Sequence, residues 1–264
     1  MNDLGDTTRW ATHKFGIGEA APRVEDPTLL RGQGSYTDDI NLPGQAYLAM
    51  VRSRYAHGII RKIDLDAARA LPGVLGVYTC ADLDAAGFGT LKCISPFVNR
   101  DGSPMKKPVR KALADTRVRH VGDPVAFVVA QTATQAKDAA EADELDIDPL
   151  PAVIDPRAAA APGAPLLHDD APGNVSIDYY FGETEKTAAA FARAAHVTRL
   201  RLDNNRVVVA AMEPRSALAA YDAASGRWTF HAPSQGVFGL RAQIATNILN
   251  VPLDRKSTRL NSSH

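Results

Sequence analysis

The residues best suited to binding chemistry lie in one short stretch, Pro233-Ser-Gln-Gly236. An apolar strand-like run at 228–232 precedes it, and a segment with helical apolar spacing follows from about residue 239. This order of strand, turn and helix brings the Gln235 amide to a place where a pocket could open. The amide offers a donor and an acceptor without adding charge, and Gly236 lets a ligand approach the backbone closely. From the residues alone, a plain structural role is favoured for Gln235, that of a glutamine in a turn before a helix.

A second polar group, Met212-Glu-Pro-Arg215, ends the apolar run at 207–212. Arg215, like Arg31 upstream, follows apolar or proline residues, which predicts a partly buried guanidinium serving as an ion pair or a carbonyl clamp. Glu213 is predicted to be a buried, paired carboxylate. A structural role for the pair is favoured over direct chemistry.

The other chemically capable residues lack the context that function requires. Gly16-Ile-Gly-Glu-Ala-Ala21 fits a dinucleotide fingerprint only superficially, because polar sequence precedes it and Pro22 follows. Ser234 lacks the G-x-S-x-G context of a hydrolase. The acidic pairs at 38–39 and 169–170 indicate solvated turn carboxylates. No metal-ligand spacing links the histidines, which are His13, His57, His120, His168, His196, His231 and His264. We therefore predict no catalytic residue and no metal ligand in this chain.

Composition narrows the function classes. Lys plus Arg and Asp plus Glu each total 30, so no charge excess points to nucleic acid or an anionic membrane. No apolar run reaches the roughly 18 residues of a membrane span, and the polar start argues against a secretory signal, which favours a cytoplasmic location. Cys80 and Cys93 form no C-x-x-C pair, which excludes an iron–sulfur cluster held by this chain alone. Two reduced thiols are favoured over one disulfide.

Apolar periodicity predicts an α+β fold with helices layered on a sheet. In the first half it predicts strands at 46–51, 59–65, 74–79, 125–130 and 145–147. Helices are predicted at 66–71, 81–86 and 132–142, the last capped by Thr132 or Thr134. Residues 87–117 form a long loop of functional or partner-facing type.

A Pro-rich stretch at 148–176 predicts a linker and a domain boundary. Beyond it we predict a helix at 187–195, strands at 197–202, 207–212, 217–221 and 228–232, and a helix at 239–249. Asp222-Ala-Ala-Ser-Gly226 is predicted to form a hairpin turn in which glycine takes a positive φ.

Several motifs in a fixed order resemble a known family. They are Arg23-Val-Glu-Asp-Pro27, Gly32-Gln-Gly-Ser-Tyr-Thr-Asp-Asp-Ile-Asn-Leu-Pro43, Val51-Arg-Ser-Arg-Tyr-Ala-His57, Val118-Arg-His-Val-Gly-Asp-Pro-Val-Ala126, Met212-Glu-Pro-Arg215 and Ser234-Gln-Gly-Val-Phe-Gly-Leu-Arg241. In this order they resemble the molybdopterin-binding large subunit of the xanthine dehydrogenase and aldehyde oxidase family, in its carbon monoxide dehydrogenase-like branch.

The resemblance implies an N-terminal arm at 1–26, an α/β hammerhead domain at 27–150, the linker at 151–176, and the start of the first molybdenum-cofactor domain at 177–254. The polar tail at 255–264 looks unrelated to the family and is expected to be translated adapter sequence, so we exclude it from the fold.

The resemblance also implies chemistry. Family members hydroxylate a carbon centre of an aldehyde or N-heterocycle, or oxidise carbon monoxide, with water as the oxygen donor. Gln235 and Gly236 would be cofactor-binding residues, the amide of Gln235 bonding to an oxo group of the molybdenum. Phe238 stands where the branch often has histidine.

The implied cofactor is molybdenum-molybdopterin in its cytosine dinucleotide form. The implied partners are an FAD-binding medium subunit and a small subunit with [2Fe-2S] clusters, in a dimer of heterotrimers. The family's Gly-rich segment and its general-base glutamate are not in this sequence, so the isolated chain is expected to be inactive. The alternative is a non-catalytic, partner-binding module built on the hammerhead domain.

Overall fold

The computed structural model describes residues 23–205, 207, 210, 211, 213 and 215–253, and the backbone of 256–259. The predicted arm up to residue 22, the motif at 16–21, His13 and His264 lie outside the described residues. The strands in chain order are β1 (Tyr47–Arg52), β2 (Gly58–Asp64), β3 (Val74–Thr79), β4 (Arg117–Val118), β5 (Pro124–Ala130), β6 (Glu144–Pro149), β7 (Leu218–Asp222), β8 (Arg227–His231) and β9 (Lys256–Arg259).

The helices also follow the chain. The α-helices are α1 (Asp26–Leu30), α2 (Asp66–Ala70), α3 (Cys80–Ala85), α4 (Ala133–Glu141), α5 (Thr184–Arg193) and α6 (Val237–Ala242). Short 3-10 helices span Thr37–Asp39 and Pro172–Asn174. A π-helix, Gln243–Ile248, continues α6 without a break.

Two antiparallel sheets build the first half of the described chain. One has the order β1-β5-β3 and the other β4-β2-β6. Helix α4 packs on β1 and β5, and its buried Ala136 and Ala139 are three residues apart on one helix face. Their small side chains let the helix approach the buried residues Val51, Ala126 and Val128 of the sheet. The predicted α+β layer is therefore confirmed.

In this half, the strands and the helix cap predicted from neighbouring residues agree with the structure. The predicted strand, helix and strand over 125–147 are β5, α4 and β6. Thr132 is the helix cap, since its hydroxyl accepts a hydrogen bond of 3.2 Å from the Gln135 N–H. The loop before β4 contains only isolated bridges, which join Leu91 to Arg110 and Val98 to Pro104.

The second half departs more from the prediction. Strands β7 and β8 pair antiparallel around the predicted turn, where Gly226 has a φ of 65°. The predicted helices at 187–195 and 239–249 begin earlier, at Thr184 and Val237.

The strand predicted at 197–202 is wrong. This segment has no regular secondary structure and belongs to no sheet among the described residues, and Leu200 and Leu202 are 78% and 80% exposed. Alternating apolar residues give a strand one apolar face, but a strand also needs a neighbouring strand for its hydrogen bonds. The strand predicted at 207–212 lies partly outside the described residues, and its described positions are not in a strand.

The tail contributes one strand. The backbone of β9 pairs in parallel with β8, opposite residues from Trp228 to His231. Sequence reasoning excluded 255–264 from the fold, so this pairing is a correction for these four residues. The origin of the tail stays a prediction.

Candidate functional site

The turn that carries Gln235 lies between β8, which ends at His231, and α6, which begins at Val237. Ser234 shapes it: the Gly236 N–H donates to the Ser234 hydroxyl at 3.1 Å. Ala232 below the turn is buried, with 7% exposure. The predicted order of strand, turn and helix around Gln235 is therefore confirmed. Ser234, which lacks the sequence context of a hydrolase nucleophile, has this structural role.

Gln235 and Gly236 face open space. Both residues are exposed, and a Cβ atom added at Gly236 would meet no heavy atom within 4 Å. Among the described residues no hydrogen bond engages the Gln235 amide. Its donor and acceptor atoms are thus available to a bound group.

The chain enters the hairpin at the end that carries the Gln235 turn. Leu218 of β7 pairs with His231 of β8, in antiparallel register. Ser216, which lies just before β7, is therefore at the end of the hairpin where β8 leads into the Gln235 turn. Met212 and Pro214 of the second sequence motif lie outside the described residues.

Two polar atoms beside β7 are buried without a partner. Within the described part of the chain, Glu213 Oε1 and Ser216 Oγ are shielded from solvent and make no hydrogen bond. A buried polar atom without a partner costs about 1–3 kcal/mol, so this end of the hairpin can still accept hydrogen bonds from a further group.

The predicted ion pair at Glu213 is wrong. Arg215 is exposed, and among the residues described no ion pair joins it to Glu213. Arg31 is exposed as well, in the turn after α1. A guanidinium next to a proline or an apolar residue in sequence can still reach water, because its long side chain extends past its neighbours.

Helix α6 presents one anchored and one uncovered side chain. The Arg241 guanidinium donates from Nη2 to the Leu253 carbonyl at 2.8 Å, while its buried Nε finds no partner in the described residues. Phe238 is 82% exposed. The face of α6 near the turn is thus apolar and open.

The remaining candidates have structural roles where the chain is described. His57 is 3% exposed, and its Nδ1 lies 2.9 Å from the Pro151 carbonyl. Asp39 accepts from the Tyr36 N–H at 2.7 Å, and Asp169 lies 3.4 Å from Arg117. In the described ranges no three His, Cys, Asp or Glu side chains are grouped to hold a metal ion. Nor does any described helix have the length and apolar content to cross a bilayer.

Comparison with known proteins assigns each half of the chain to a domain family. The family described as "aldehyde oxidase and xanthine dehydrogenase, a/b hammerhead domain" matches residues 31–151, and the family described as "molybdopterin cofactor-binding domain" matches residues 167–259. The two domains follow in the expected order, and the second contains the hairpin and the Gln235 turn. The chain belongs to the aldehyde oxidase and xanthine dehydrogenase family. The predicted fold, a hammerhead domain followed by the start of a molybdopterin-binding domain, is confirmed.

Individual relatives agree with this family. The chain is 35% identical over 234 residues to the carbon monoxide dehydrogenase large chain of Afipia carboxidovorans, covering 83% of this chain and 28% of that protein. It is 38% identical over 209 residues to the nicotine 6-hydroxylase large subunit of Paenarthrobacter nicotinovorans, covering 78% and 24%. The crystal structure of quinoline 2-oxidoreductase from Pseudomonas putida superposes with a TM-score of 0.81 at 30% identity, over 94% of this chain and 30% of that chain. The chain thus spans about a quarter of the length of these curated relatives.

The residues at the hairpin end fit a pterin-bound metal centre. The Gln235 amide is uncharged, unpaired within the described residues and exposed. The space beside Gly236 is open, and unpaired acceptor atoms lie on the adjoining segment. A pterin carries hydrogen-bond donors that suit such acceptors, and a neutral amide can bond to a metal ligand without altering its charge.

Proposed function

We propose that this chain forms part of the large subunit of a molybdenum hydroxylase. The substrate class is an aldehyde, an N-heterocycle or carbon monoxide, and water donates the oxygen. For a C–H substrate the balance is R–H + H₂O → R–OH + 2H⁺ + 2e⁻; for carbon monoxide it is CO + H₂O → CO₂ + 2H⁺ + 2e⁻. The relatives, which include a carbon monoxide dehydrogenase large chain and a nicotine 6-hydroxylase large subunit, support these classes.

One observation carries this proposal: the exposed Gln235 amide, without a hydrogen-bond partner among the described residues, lies inside the match to the cofactor-binding domain, beside the open space at Gly236. When bound, the molybdenum cofactor supplies the two-electron chemistry. The contribution of the chain is placement: Gln235 donates a hydrogen bond to a ligand of the metal, and Gly236 leaves room for the group.

The electrons leave through partner subunits. The chain has two cysteines, which are too few for a cluster of its own. We assign [2Fe-2S] clusters to a small subunit and FAD to a medium subunit, within a dimer of heterotrimers. A relative that is a subunit of the 6-hydroxypseudooxynicotine dehydrogenase complex supports a multi-subunit assembly. The cofactor is assigned as the cytosine dinucleotide form.

The test is a Gln235→Ala exchange in the complete large subunit, assembled with its partners and loaded with cofactor. Loss of a hydrogen bond to a metal ligand is expected to lower turnover or metal retention about 10–100-fold. Gln131→Ala is the matched control, since Gln131 is also exposed but lies in the hammerhead half. Turnover and molybdenum content that match the control would contradict the role of Gln235.

The chain by itself is expected to carry no catalysis. Purified as 264 residues, it should contain no stoichiometric molybdenum by elemental analysis and should reduce no dye with any of the three substrate classes. Retained molybdenum together with dye reduction would overturn this part of the proposal. Specific binding of a partner subunit without cofactor would support the alternative of a partner-binding module.

A further inference from the structure

The hammerhead half holds the far end of the helix that begins beside Gln235. After α3, the Gly89 N–H donates to the Ile248 carbonyl at 2.7 Å. The Asn250 side chain returns the contact, donating from Nδ2 to the Gly87 carbonyl at 2.9 Å. The last carbonyls of a helix have no partner within the helix, so a loop about 160 residues away in sequence terminates the π-helix.

The contact of Gly89 with the end of the helix leaves no space for a side chain at position 89. A Cβ atom added at Gly89 would lie 1.9 Å from the Asn247 carbonyl oxygen and 2.9 Å from its carbon. These are backbone atoms, so no side chain can rotate away to make room. Any larger residue at position 89 must push the end of the helix from the loop.

Asn250 suits its place for a different reason. Its φ is 51°, in the left-handed region that asparagine and glycine adopt more easily than other residues. This conformation turns the chain out of the π-helix, and the side-chain amide is then free to reach Gly87. Asn250 thus combines the helix stop with the link between the two halves.

We call the contacts of Gly89 with Ile248 and of Asn250 with Gly87 the junction. The helix connects this junction to the Gln235 turn, so a movement at one end displaces the other. α6 and the π-helix run together from Val237 to Ile248, a length of roughly 18 Å at about 1.5 Å per residue. A tilt of about 10° at the junction would move the Gln235 end by roughly 3 Å. A displacement of only about 1 Å in a reacting geometry can cost about 100-fold in rate.

We infer that Gly89 and Asn250 are positioning residues for Gln235: they fix the helix against the hammerhead half and so set where the amide points. The inference rests on the proposed role of Gln235. It gives the hammerhead half a part in building the cofactor site through a backbone contact.

The experiment uses the full chain and needs no cofactor. Asn250→Gly removes the amide donor but tolerates the left-handed backbone, and Gly89→Ala adds the obstructing methyl group. Gly239→Ala is the matched control, because a Cβ atom there meets no heavy atom within 4 Å. The readouts are the NMR resonance of the Gln235 side-chain amide, assigned by its loss in Gln235→Ala, and amide hydrogen exchange in α6 and in β5.

Asn250→Gly and Gly89→Ala are expected to shift the Gln235 resonance and to speed exchange in α6 by about 10-fold or more, because the helix end is released. Exchange in β5 should stay unchanged, and Gly239→Ala should neither shift the Gln235 resonance nor speed exchange in α6, since alanine favours the helix. An unshifted Gln235 resonance in Asn250→Gly would overturn the inference. Equal acceleration in α6 and β5 would also overturn it, since it would show only a general loss of stability.

Asn250→Gly keeps the test decisive if Gly89→Ala fails to fold. The Gln235 resonance and the amide exchange rates are also independent of the proposed function. Undiminished turnover of the loaded Gln235→Ala complex would contradict the proposed function, whereas the exchange and resonance data decide whether the junction holds the helix.

Discussion

At the scale of single residues, the polar side chains fall into those that satisfy the backbone and those left open. Asp82 belongs to the first kind: its carboxylate accepts from the Thr79 N–H at 2.6 Å and from the Thr79 hydroxyl at 2.8 Å, at the start of α3. Gln235 belongs to the second, having no hydrogen-bond partner among the described residues. An exposed side-chain amide without a partner can donate to, and accept from, a bound group.

Asp82 should make stability depend on pH in the acid range. The hydrogen bond from the Thr79 N–H, followed by that from its hydroxyl, holds the pKa of Asp82 below its usual 3.8. Because the folded-state pKa is lowered, the contribution is complete above the unfolded-state pKa of 3.8 and is lost as the pH falls through the folded-state pKa. Asp82→Asn should therefore lower the urea midpoint at pH 6 but much less at pH 3.

Asp138→Asn serves as the control for this measurement. Asp138 is exposed on α4, and its carboxylate makes no hydrogen bond within the described residues. Its exchange should leave the difference between the two midpoints as in the unmodified chain. A pH response of Asp82→Asn equal to that of the unmodified chain would refute the assignment.

At the scale of elements, helix α4 shows how local signals set a boundary. Thr132 takes an extended backbone, φ −131° and ψ 156°, and its hydroxyl accepts from the Gln135 N–H. Thr134, the other candidate cap, lies inside the helix and is exposed. A cap satisfies one of the free N–H groups of the first turn, whereas a threonine inside the helix only loses side-chain freedom.

The two threonines should therefore respond oppositely to alanine. Thr132→Ala is expected to lower the free energy of unfolding by about 1 kcal/mol. Thr134→Ala should leave it unchanged or raise it by up to about 0.5 kcal/mol, since alanine has the higher helix propensity. Urea unfolding of both variants measures this, and equal destabilisation by the two exchanges would show that Thr132 is not the cap.

At the scale of the whole molecule, tertiary packing gives the two free cysteines different degrees of burial. Cys80, at the start of α3, is 5% exposed, while Cys93 in the long loop is exposed. Burial raises the pKa of the Cys80 thiol. The Ser95 N–H hydrogen bond lowers the pKa of Cys93. The neighbourhood of Cys80 includes Ile248 and Gly89, at a small cavity of about 210 Å³.

The native chain should show one fast and one slow thiol. Cys93 should react with a thiol reagent at pH 7 about ten times or more faster than Cys80, because it is exposed and has the larger thiolate fraction. Cys93→Ser should remove the fast phase and Cys80→Ser the slow one. In denaturant both thiols should react at similar rates, and two equally fast thiols in the native chain would contradict the burial of Cys80.

The same scale separates what the sequence could predict from what it could not. β5 and α4 were predicted nearly to the residue, because burial pattern and cap depend on neighbours in sequence. The strand at 197–202 failed, since pairing depends on a second strand that periodicity cannot supply. The predicted ion pairing of Glu213 and the predicted burial of Arg215 failed similarly, because neighbours in sequence do not determine which way a long side chain points.

Of the site, the sequence by itself determined the residue types, the turn between strand and helix, and the family that the ordered motifs resemble. Only the tertiary structure decided that β7 begins at the Gln235 end of the β7–β8 hairpin, and that Gly89 and Asn250 link the loop after α3 to the end of the helix beyond the turn. The physical reason is range. Propensity, capping and turn chemistry act over a few residues, whereas strand register and the approach of Gly89 to Asn247 bring together backbone atoms far apart in the chain.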